Sequence, residues 1–239
     1  MMQIEENGHQ MGFLRKFMME NAGAAAVKSL VEKFGSVKGK DILIFAGLGN
    51  NGGDALVMAR HLVGYDANVR VTLLGRPENI KTEESKWNWS ILEKMPSVRR
   101  LDGPATSGTY DPTYGAIVKH YFDTNNPNWL VFDPTDDPTP DVIIDGILGT
   151  GITGEIRRPY SSAIGYINWF KDSYNVFTFA VDVPSGVDPN TGNKKFHVTA
   201  DMTVTFHRMK VGMPKAKDVC GEIFVEKIGI PIEAEIGVL

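Results

Sequence analysis

Residues 41–54 read Asp-Ile-Leu-Ile-Phe-Ala-Gly-Leu-Gly-Asn-Asn-Gly-Gly-Asp, and this stretch decides the fold. Its first six residues form a short, nearly continuous apolar run, which is typical of a parallel strand buried on both faces. Glycines and asparagines end the run at residues 47–54, and apolar residues return at helical spacing over residues 55–63. We therefore predict a strand, a glycine-rich loop and a helix, which form one unit of an α/β protein.

The same alternation of strands and helices continues on both sides of this unit. We predict helices at residues 13–34, 82–94 and 161–170, and strands at residues 68–74, 141–145, 176–181, 202–206 and 223–227. Strands that alternate with helices pair in parallel through right-handed crossovers. We therefore expect a Rossmann-like three-layer αβα sandwich with a mostly parallel central sheet and an extra N-terminal helix, built as a single domain over residues 1–239. We interpret residues 97–140, which are rich in Pro, Asp and Thr, as an excursion from the sheet.

The composition narrows the classes of function. The formal net charge is −4 over 239 residues, and this slightly acidic balance argues against a nucleic acid or a membrane surface as partner. The chain has no apolar run of ~18 residues, which a spanning helix needs. Its single cysteine, Cys220, cannot form an internal disulfide, and its first residues lack the pattern of a signal peptide. We therefore expect a cytoplasmic protein that acts on a small molecule.

Three loops that follow predicted strands form the candidate site, because ligands of open α/β sheets bind beyond the carboxyl ends of the strands. The first, residues 47–54, carries the pattern Gly-x-Gly-x-x-Gly, whose backbone N–H groups could bind a phosphate at the helix start. The second, residues 145–154, begins with Asp145, and the third, residues 182–188, begins with Asp182. Each loop alone is equally typical of a tight turn. Three such loops at one sheet edge favour a binding site.

Oxygen-bearing side chains in these loops also suggest a cation. Carboxylate, amide and hydroxyl oxygens are the ligands that hard cations prefer. Asn51, Asp145 and Ser185 supply one of each kind, one from each loop. The three could therefore converge on such an ion.

A dinucleotide-binding dehydrogenase is a rival interpretation of the first loop. Its fingerprint expects an acidic residue ~20 positions further on, at the end of the second strand, where it binds the ribose hydroxyls. Residues 74–76 read Leu-Gly-Arg at that place. An NADP-dependent oxidoreductase, with Arg76 near a 2′-phosphate, is therefore the weaker alternative.

Several pieces of the chain together resemble the NAD(P)H-hydrate epimerase family, also called the YjeF N-terminal domain family. They are Met-Glu-Asn-Ala-Gly at residues 19–23, Gly-Asn-Asn-Gly-Gly-Asp at 49–54, Asp145 with Gly-Thr-Gly at 149–151, Asp-Val-Pro-Ser-Gly at 182–186, Ala-Asp-Met-Thr-Val-Thr-Phe at 200–206 and Gly-Ile-Pro at 229–231. The resemblance runs from about residue 14 to residue 232. Two departures stand out: Ala55 replaces a usual Gly, and a late Gly-x-Pro-Lys-x-Gly-like segment appears as His-Arg-Met-Lys-Val-Gly at residues 207–212.

The resemblance implies that the protein is an isomerase that acts in cofactor repair. Such enzymes interconvert the R and S epimers of NADHX and NADPHX, so that a separate ADP/ATP-dependent NAD(P)H-hydrate dehydratase can restore the cofactor. The resemblance also implies a homodimer and a potassium ion bound by Asn51, Asp145 and Ser185. It implies substrate contacts from Asn50, Asn51, Gly52, Gly53, Asp54, Gly149, Thr150, Gly151, Ile152, Thr153, Gly154, Glu155 and Asp182.

Epimerisation at the hydrated carbon needs a proton donor for the hydroxyl group that leaves. An aspartate can serve if burial raises its pKa towards neutrality. We predict Asp145 as this acid and base, with Asp182 as the second candidate. A non-catalytic nucleotide-binding or dimerisation module of the same fold is the alternative function, but a scaffold has no need of the intact polar residues in the three loops.

Overall fold

One seven-stranded sheet organises the computed structural model, which describes residues 1–101, 139–151 and 154–238. The strands are β1 (Asp41–Ala46), β2 (Asn68–Leu73), β3 (Val98–Leu101), β4 (Val142–Gly146), β5 (Phe177–Val181), β6 (Met202–Phe206) and β7 (Glu222–Glu226). Their order in the sheet is β3-β2-β1-β4-β5-β6-β7. Every neighbouring pair is parallel, so the expected parallel sheet is confirmed.

The edge strand β3 falls inside the segment that we interpreted as an excursion. It pairs with β2 from Val98 onward, so that interpretation is wrong for residues 98–101. The strand is only four residues long and contains two consecutive arginines, and a run of this kind carries no apolar pattern. The rest of the predicted excursion, apart from the last residues before β4, lies outside the described residues.

Six α-helices occur in the described ranges, in chain order α1 (Met2–Gln10), α2 (Arg15–Phe34), α3 (Asn50–Gly64), α4 (Glu83–Leu92), α5 (Tyr160–Tyr174) and α6 (Lys217–Cys220). The predicted N-terminal helix is α2, and α1 is a further helix that the sequence pattern did not indicate. In α1, Ile4 is buried and the Asn7 amide donates a 2.9 Å hydrogen bond to the carbonyl oxygen of Ala234. The helix therefore packs against a 3-10 turn near the C-terminus, Ile232–Glu235.

Helices cover both faces of the sheet. Successive side chains of a strand point to opposite faces, and β1 shows the two environments. Ile42 and Ile44 pack into a core built from α1, α2, α3 and α4, whereas Leu43 and Phe45 pack against α5. This arrangement confirms the three-layer αβα sandwich. None of the helices within the described ranges is both long and apolar enough to cross a membrane.

The first glycine-rich loop is shorter than predicted, because α3 begins at Asn50. The polar stretch up to Asp54 therefore forms the first turns of the helix instead of a loop before it. A Cβ atom on Gly52 would lie 1.9 Å from the carbonyl oxygen of Gly47, so the helix can start this close to β1 only with glycine there. Apolar spacing cannot reveal a helix start of Asn and Gly, which is why the prediction placed it five residues later.

Candidate active site

The loops after β1, β4 and β5 meet at the carboxyl edge of the sheet. The N–H of Gly47 donates a 2.9 Å hydrogen bond to the carbonyl oxygen of Gly146, which joins the first loop to the second. A Cβ atom on Gly47 would lie 1.9 Å from the carbonyl oxygen of Ile147, so the two backbones touch. The N–H of Ser185 in the third loop donates a 2.7 Å hydrogen bond to Asp145 in the second. The three predicted loops are thus one continuous cluster.

Asp145 lies at the centre of this cluster, and none of its surface is exposed. Its Oδ1 accepts hydrogen bonds from the Ser185 hydroxyl at 2.6 Å and from the N–H of Ile147 at 3.2 Å, and its Oδ2 accepts the Ser185 N–H. Burial raises the pKa of Asp145 to about 6, although these donors oppose the shift. The carboxyl group therefore holds the second and third loops together.

Asn51, in the first turn of α3, reaches the same cluster. Its amide nitrogen donates a 3.1 Å hydrogen bond to the carbonyl oxygen of Leu148. The Ser185 hydroxyl oxygen accepts the N–H of Leu148 at 2.9 Å, so Leu148 links Asn51 to Ser185. Asn51 is 7% exposed, yet its Oδ1 has no hydrogen-bond partner in the described part of the chain. Buried polar atoms are usually hydrogen-bonded, so this oxygen is an acceptor that a bound cation could use, in the same cluster as Asp145 and Ser185.

Asp182 is the first residue after β5 and takes a positive φ of 64°, a conformation that Asp adopts more readily than most residues. Its Oδ1 accepts hydrogen bonds from the Thr205 hydroxyl at 3.0 Å and from the N–H of Phe206 at 3.3 Å. It also pairs with the ammonium group of Lys210, which is buried and donates a second hydrogen bond, 3.2 Å long, to the carbonyl oxygen of Phe206. These donors fix the orientation of the Asp182 side chain.

Lys210 is a residue that sequence reasoning missed as a member of the site. It lies in the His-Arg-Met-Lys-Val-Gly segment that departs from the family pattern. The lysine in the family pattern could have pointed to Lys210. Its ion pair with Asp182, however, is visible only in the structure, where Lys210 follows β6. A buried ammonium group needs an acidic partner, and Asp182 is the one it has.

Glu5 is a second residue that sequence reasoning missed, and its charge acts on Asp54. Glu5 comes from α1 and Asp54 from the second turn of α3, and both are half-buried. Burial raises the pKa of both carboxyl groups, and the negative charge of Asp182 raises them further. No sequence motif marked Glu5. The helix α1 lies beside the site because it packs against the 3-10 turn near the C-terminus, which is distant in the sequence.

The other predicted substrate contacts divide into exposed and packed positions. Asn50, Gly151, Gly154 and Glu155 are exposed, and Gly149 and Thr150 are partly exposed, so this edge is open to a ligand. Gly52 and Gly53 are buried against protein: a Cβ atom on Gly53 would lie 2.3 Å from the hydroxyl oxygen of Ser85 in α4. Both glycines thus allow the close packing of α3, and contact of their backbone with a substrate stays a prediction. The predicted contacts Ile152 and Thr153 lie outside the described residues.

The sequence resembles known proteins along most of its length. Residues 15–212 match the family described as YjeF-related protein N-terminus. The chain is 60% identical to an NAD(P)H-hydrate epimerase of Nitrosopumilus maritimus and 53% identical to one of Cenarchaeum symbiosum. Each alignment covers 100% of this chain and 97% of the relative. A bifunctional NAD(P)H-hydrate repair enzyme, Nnr, of Archaeoglobus fulgidus is 38% identical over 95% of this chain and 40% of its own length.

A solved structure shares the fold. The crystal structure of the yeast protein ynu0 superposes with a TM-score of 0.65, at 23% sequence identity, over 86% of this chain and 76% of the yeast chain. At this identity the likeness concerns the fold alone. It agrees with the parallel sheet and the helical layers described above.

Proposed function

Because the chain belongs to the YjeF-related protein N-terminus family, we propose that it is an NAD(P)H-hydrate epimerase, an isomerase that interconverts the R and S epimers of NADHX and NADPHX. The names of the two full-length relatives support this function. The structural observation that carries it is the meeting of three loops at one sheet edge, around a buried amide oxygen of Asn51 without a partner among the described residues.

The nucleotide part of the substrate would lie between the start of α3 and residues 149–151 and 154–155. Asn50 at the helix start is exposed, and so are Gly151 and Gly154 in the loop after β4. Backbone N–H groups at a helix N-terminus and in glycine-rich turns bind phosphate without a basic side chain. An anionic dinucleotide can therefore bind here in spite of the net charge of −4.

A potassium ion fits the polar cluster below this loop. Asn51 would supply its amide oxygen, and Asp145 and Ser185 a carboxylate and a hydroxyl oxygen from the same hydrogen-bonded cluster. The ion would offset the negative charge of the buried Asp145 carboxylate. It would thereby strengthen the electrostatic attraction of the site for an anionic ligand. Held in this way, Asp145 orders the three loops and keeps the start of α3 in place.

Potassium binding is measurable without any assay of activity. We expect a higher melting temperature in KCl than in LiCl of the same ionic strength, since a ligand at 100 times its dissociation constant adds about 2.7 kcal/mol, or roughly 5–10 °C for a chain of this size. The variant Asn51→Ala should lose this increment, and the neighbouring variant Asn50→Ala should keep it. Equal melting temperatures of the unmutated protein in the two salts would contradict the site.

The epimerase reaction itself is tested with one purified epimer of NADPHX. Protein is added, samples are taken over time, and chromatography separates the two epimers. We expect the second epimer to appear faster than in buffer alone, at a rate proportional to the protein concentration. A binding module without catalysis would leave the buffer rate unchanged, and an oxidoreductase would instead change the absorbance of the reduced nicotinamide.

The protein is proposed to act in the repair of damaged nicotinamide cofactors, because its substrates arise from that cofactor pool. The proposed compartment is the cytoplasm. Its proposed pathway partner is an ADP/ATP-dependent NAD(P)H-hydrate dehydratase on a separate chain. The relative from Archaeoglobus fulgidus is named bifunctional, which supports coupling of the two repair activities. The two relatives named as epimerases align with this chain over 97% of their own length.

A homodimer stays a prediction. Of the apolar residues at the N-terminus, Met18 and Met19 are buried in the core, whereas Met11 and Phe17 are 52% and 48% exposed. The side chains of Met11 and Phe17 are therefore available to a second copy of the chain. Sedimentation of the purified protein would measure its mass in solution.

A further inference from the structure

The side chain of Asp182 is held through one of its two oxygens. Its Oδ1 accepts hydrogen bonds from the Thr205 hydroxyl at 3.0 Å and from the N–H of Phe206 at 3.3 Å, and it pairs with the ammonium group of Lys210. In the part of the chain that the structure describes, Oδ2 has no hydrogen-bond partner, and the side chain keeps 14% of its surface exposed. Three donors therefore fix the carboxyl group and leave Oδ2 as an acceptor for a ligand.

A second lysine–aspartate pair uses its oxygens differently. Lys171 of α5 pairs with Oδ1 of Asp201, and Oδ2 of Asp201 accepts the N–H of Thr178 at 2.8 Å. Asp201 comes directly before β6 and Thr178 is the second residue of β5, so this pair lies at the amino edge of the sheet, opposite the three loops. Both oxygens of Asp201 bind protein groups, as a purely structural pair requires. Among the described residues, Asp182 uses only one of its oxygens in this way.

The backbone at the ends of β5 and β6 brings Asp182 and Lys210 together. Each strand ends in a γ-turn, and the central residues of the two turns, Asp182 and His207, both have a φ of 64°. Hydrogen bonds of 2.8 Å and 2.7 Å close the turns. A γ-turn with a positive φ is rare and strained, and strain of this kind is concentrated at functional sites. The second turn sends the chain back, so that Lys210 donates a 3.2 Å hydrogen bond to the carbonyl oxygen of Phe206 and reaches Asp182.

On the basis of the proposed epimerase function, we infer that Lys210 is a positioning residue, which holds Oδ1 of Asp182 so that Oδ2 accepts a hydrogen bond from the hydroxyl group of the hydrated ring. Lys210 acts through Asp182 and needs no contact with the substrate. A hydroxyl group that is held in one orientation has less freedom to lose on the way to the transition state, and the loss of such orientation is costly.

The order of the strands supports the hydrated ring as the part of the substrate that meets Asp182. The phosphates are proposed at the ends of β1 and β4, and β5 is the next strand in the sheet, about 4.8 Å further on. A ring joined to these phosphates through one ribose can reach the end of β5. Its hydroxyl group is a hydrogen-bond donor, which matches the accepting oxygen of Asp182.

The variant Lys210→Met tests the positioning role through steady-state kinetics of epimer exchange. The contact that it disturbs is with the reacting part of the substrate, so kcat and kcat/KM should fall by the same factor, about 10- to 100-fold. The matched variant Lys171→Met removes the lysine of the pair at the amino edge. It should lower the melting temperature and leave both kinetic constants unchanged.

A milder pair of variants tests the same clamp on Oδ1 without removing a charge. Thr203 and Thr205 are both fully buried in β6, and the Thr203 hydroxyl donates a 2.7 Å hydrogen bond to the carbonyl oxygen of Cys220. Thr205→Val removes a donor from Asp182 and should lower kcat, by a smaller factor than Lys210→Met. Thr203→Val should leave kcat unchanged. Equal kcat values of the two threonine variants would overturn the clamp, whether or not Lys210→Met folds.

A double-mutant cycle shows whether Lys210 acts through Asp182. Asp182→Asn keeps one oxygen for the three donors and replaces Oδ2 by an NH2 group, which donates a hydrogen bond instead of accepting one. We expect exchange to be slow in this variant. Lys210→Met should slow it no further, because the effect of the lysine depends on the acceptor that is already lost. Effects that simply multiply would give Lys210 a role independent of Asp182 and overturn the inference.

The kinetics also separate the inference from the function beneath it. If the unmutated protein does not accelerate exchange, the proposed function fails and the inference fails with it. If it does, but Lys210→Met is as fast as Lys171→Met, only the positioning role fails. A rise in KM with unchanged kcat in Lys210→Met would place Asp182 against a part of the substrate that does not react, and would overturn the contact with the ring hydroxyl.

Discussion

Single glycines decide how closely the loops of the site can approach. Gly52 lies against the carbonyl oxygen of Gly47, and Gly47 lies against that of Ile147, at distances that leave no room for a Cβ atom. Two backbone contacts thus connect α3, through the loop after β1, to the loop after β4. The same three segments carry Asn51 and Asp145, so this packing fixes the distance between the predicted potassium ligands.

The variant Gly52→Ala should therefore destabilise the protein more than Gly49→Ala. The added methyl group at position 52 would meet backbone, which cannot move as a flexible side chain can, and overpacking of this kind costs about 1–3 kcal/mol or more. At position 49 no atom lies within 4 Å, and the loss of glycine before a helix costs below about 1 kcal/mol. Urea denaturation of both variants measures the difference, and equal costs would contradict the described packing.

At the scale of elements, the C-terminal 3-10 turn holds the N-terminal helix against the site. Glu235 in that turn accepts hydrogen bonds from Arg208 at 2.8 Å and pairs with His207 at 2.7 Å, and both partners follow β6. The turn also accepts the hydrogen bond of Asn7 from α1. The position of Glu5 therefore depends on contacts between the two ends of the chain.

The contribution of Glu235 to stability should depend on pH. The Arg208 guanidinium, and after it His207, lowers the pKa of Glu235 from 4.5 to about 2, against the effect of burial. An acid whose pKa is lower in the folded state stabilises the fold above its unfolded pKa, and the effect is lost as pH falls through the folded pKa. The stabilisation is thus complete at pH 7 and declines from about pH 4.5 towards pH 2.

Glu235→Gln is the variant that measures this effect. Its free energy of unfolding should be lower than that of the unmutated protein at pH 7, and the gap should narrow at pH 3. Glu233→Gln, an exposed neighbour in the same turn, should match the unmutated protein at both pH values. A gap that is constant with pH would show that the ion pair does not contribute through the ionisation of Glu235.

At the scale of the whole molecule, alternation of strands and helices predicted most of the sheet. It found six of the seven strands in the described residues, because buried parallel strands are continuous apolar runs. It missed β3, whose residues after Val98 are Arg-Arg-Leu, and it missed α1, whose burial depends on a turn more than 220 residues away. Such contacts exist only after folding, so no local sequence pattern predicts them.

The sequence predicted which loops meet at the candidate site, and the roles of the residues in them stay predictions. Asn51, Asp145 and Ser185 were expected to converge, and in the structure they lie in one hydrogen-bonded cluster. Glu5 and Lys210 were not expected there, because each reaches the site from an element without a binding motif. The assignment of roles depends on burial and on neighbouring charge, and sequence spacing reports neither of these.

The central claim is that the hydrated cofactor binds and reacts at this edge of the sheet. A crystal structure of the protein soaked with NADPHX tests it most directly. We predict the phosphates at residues 149–151 and 154–155 and at the start of α3, with the hydrated ring against Asp182. A ligand bound at another face of the sheet, or one whose hydrated ring points away from Asp182 into solvent, would contradict the account.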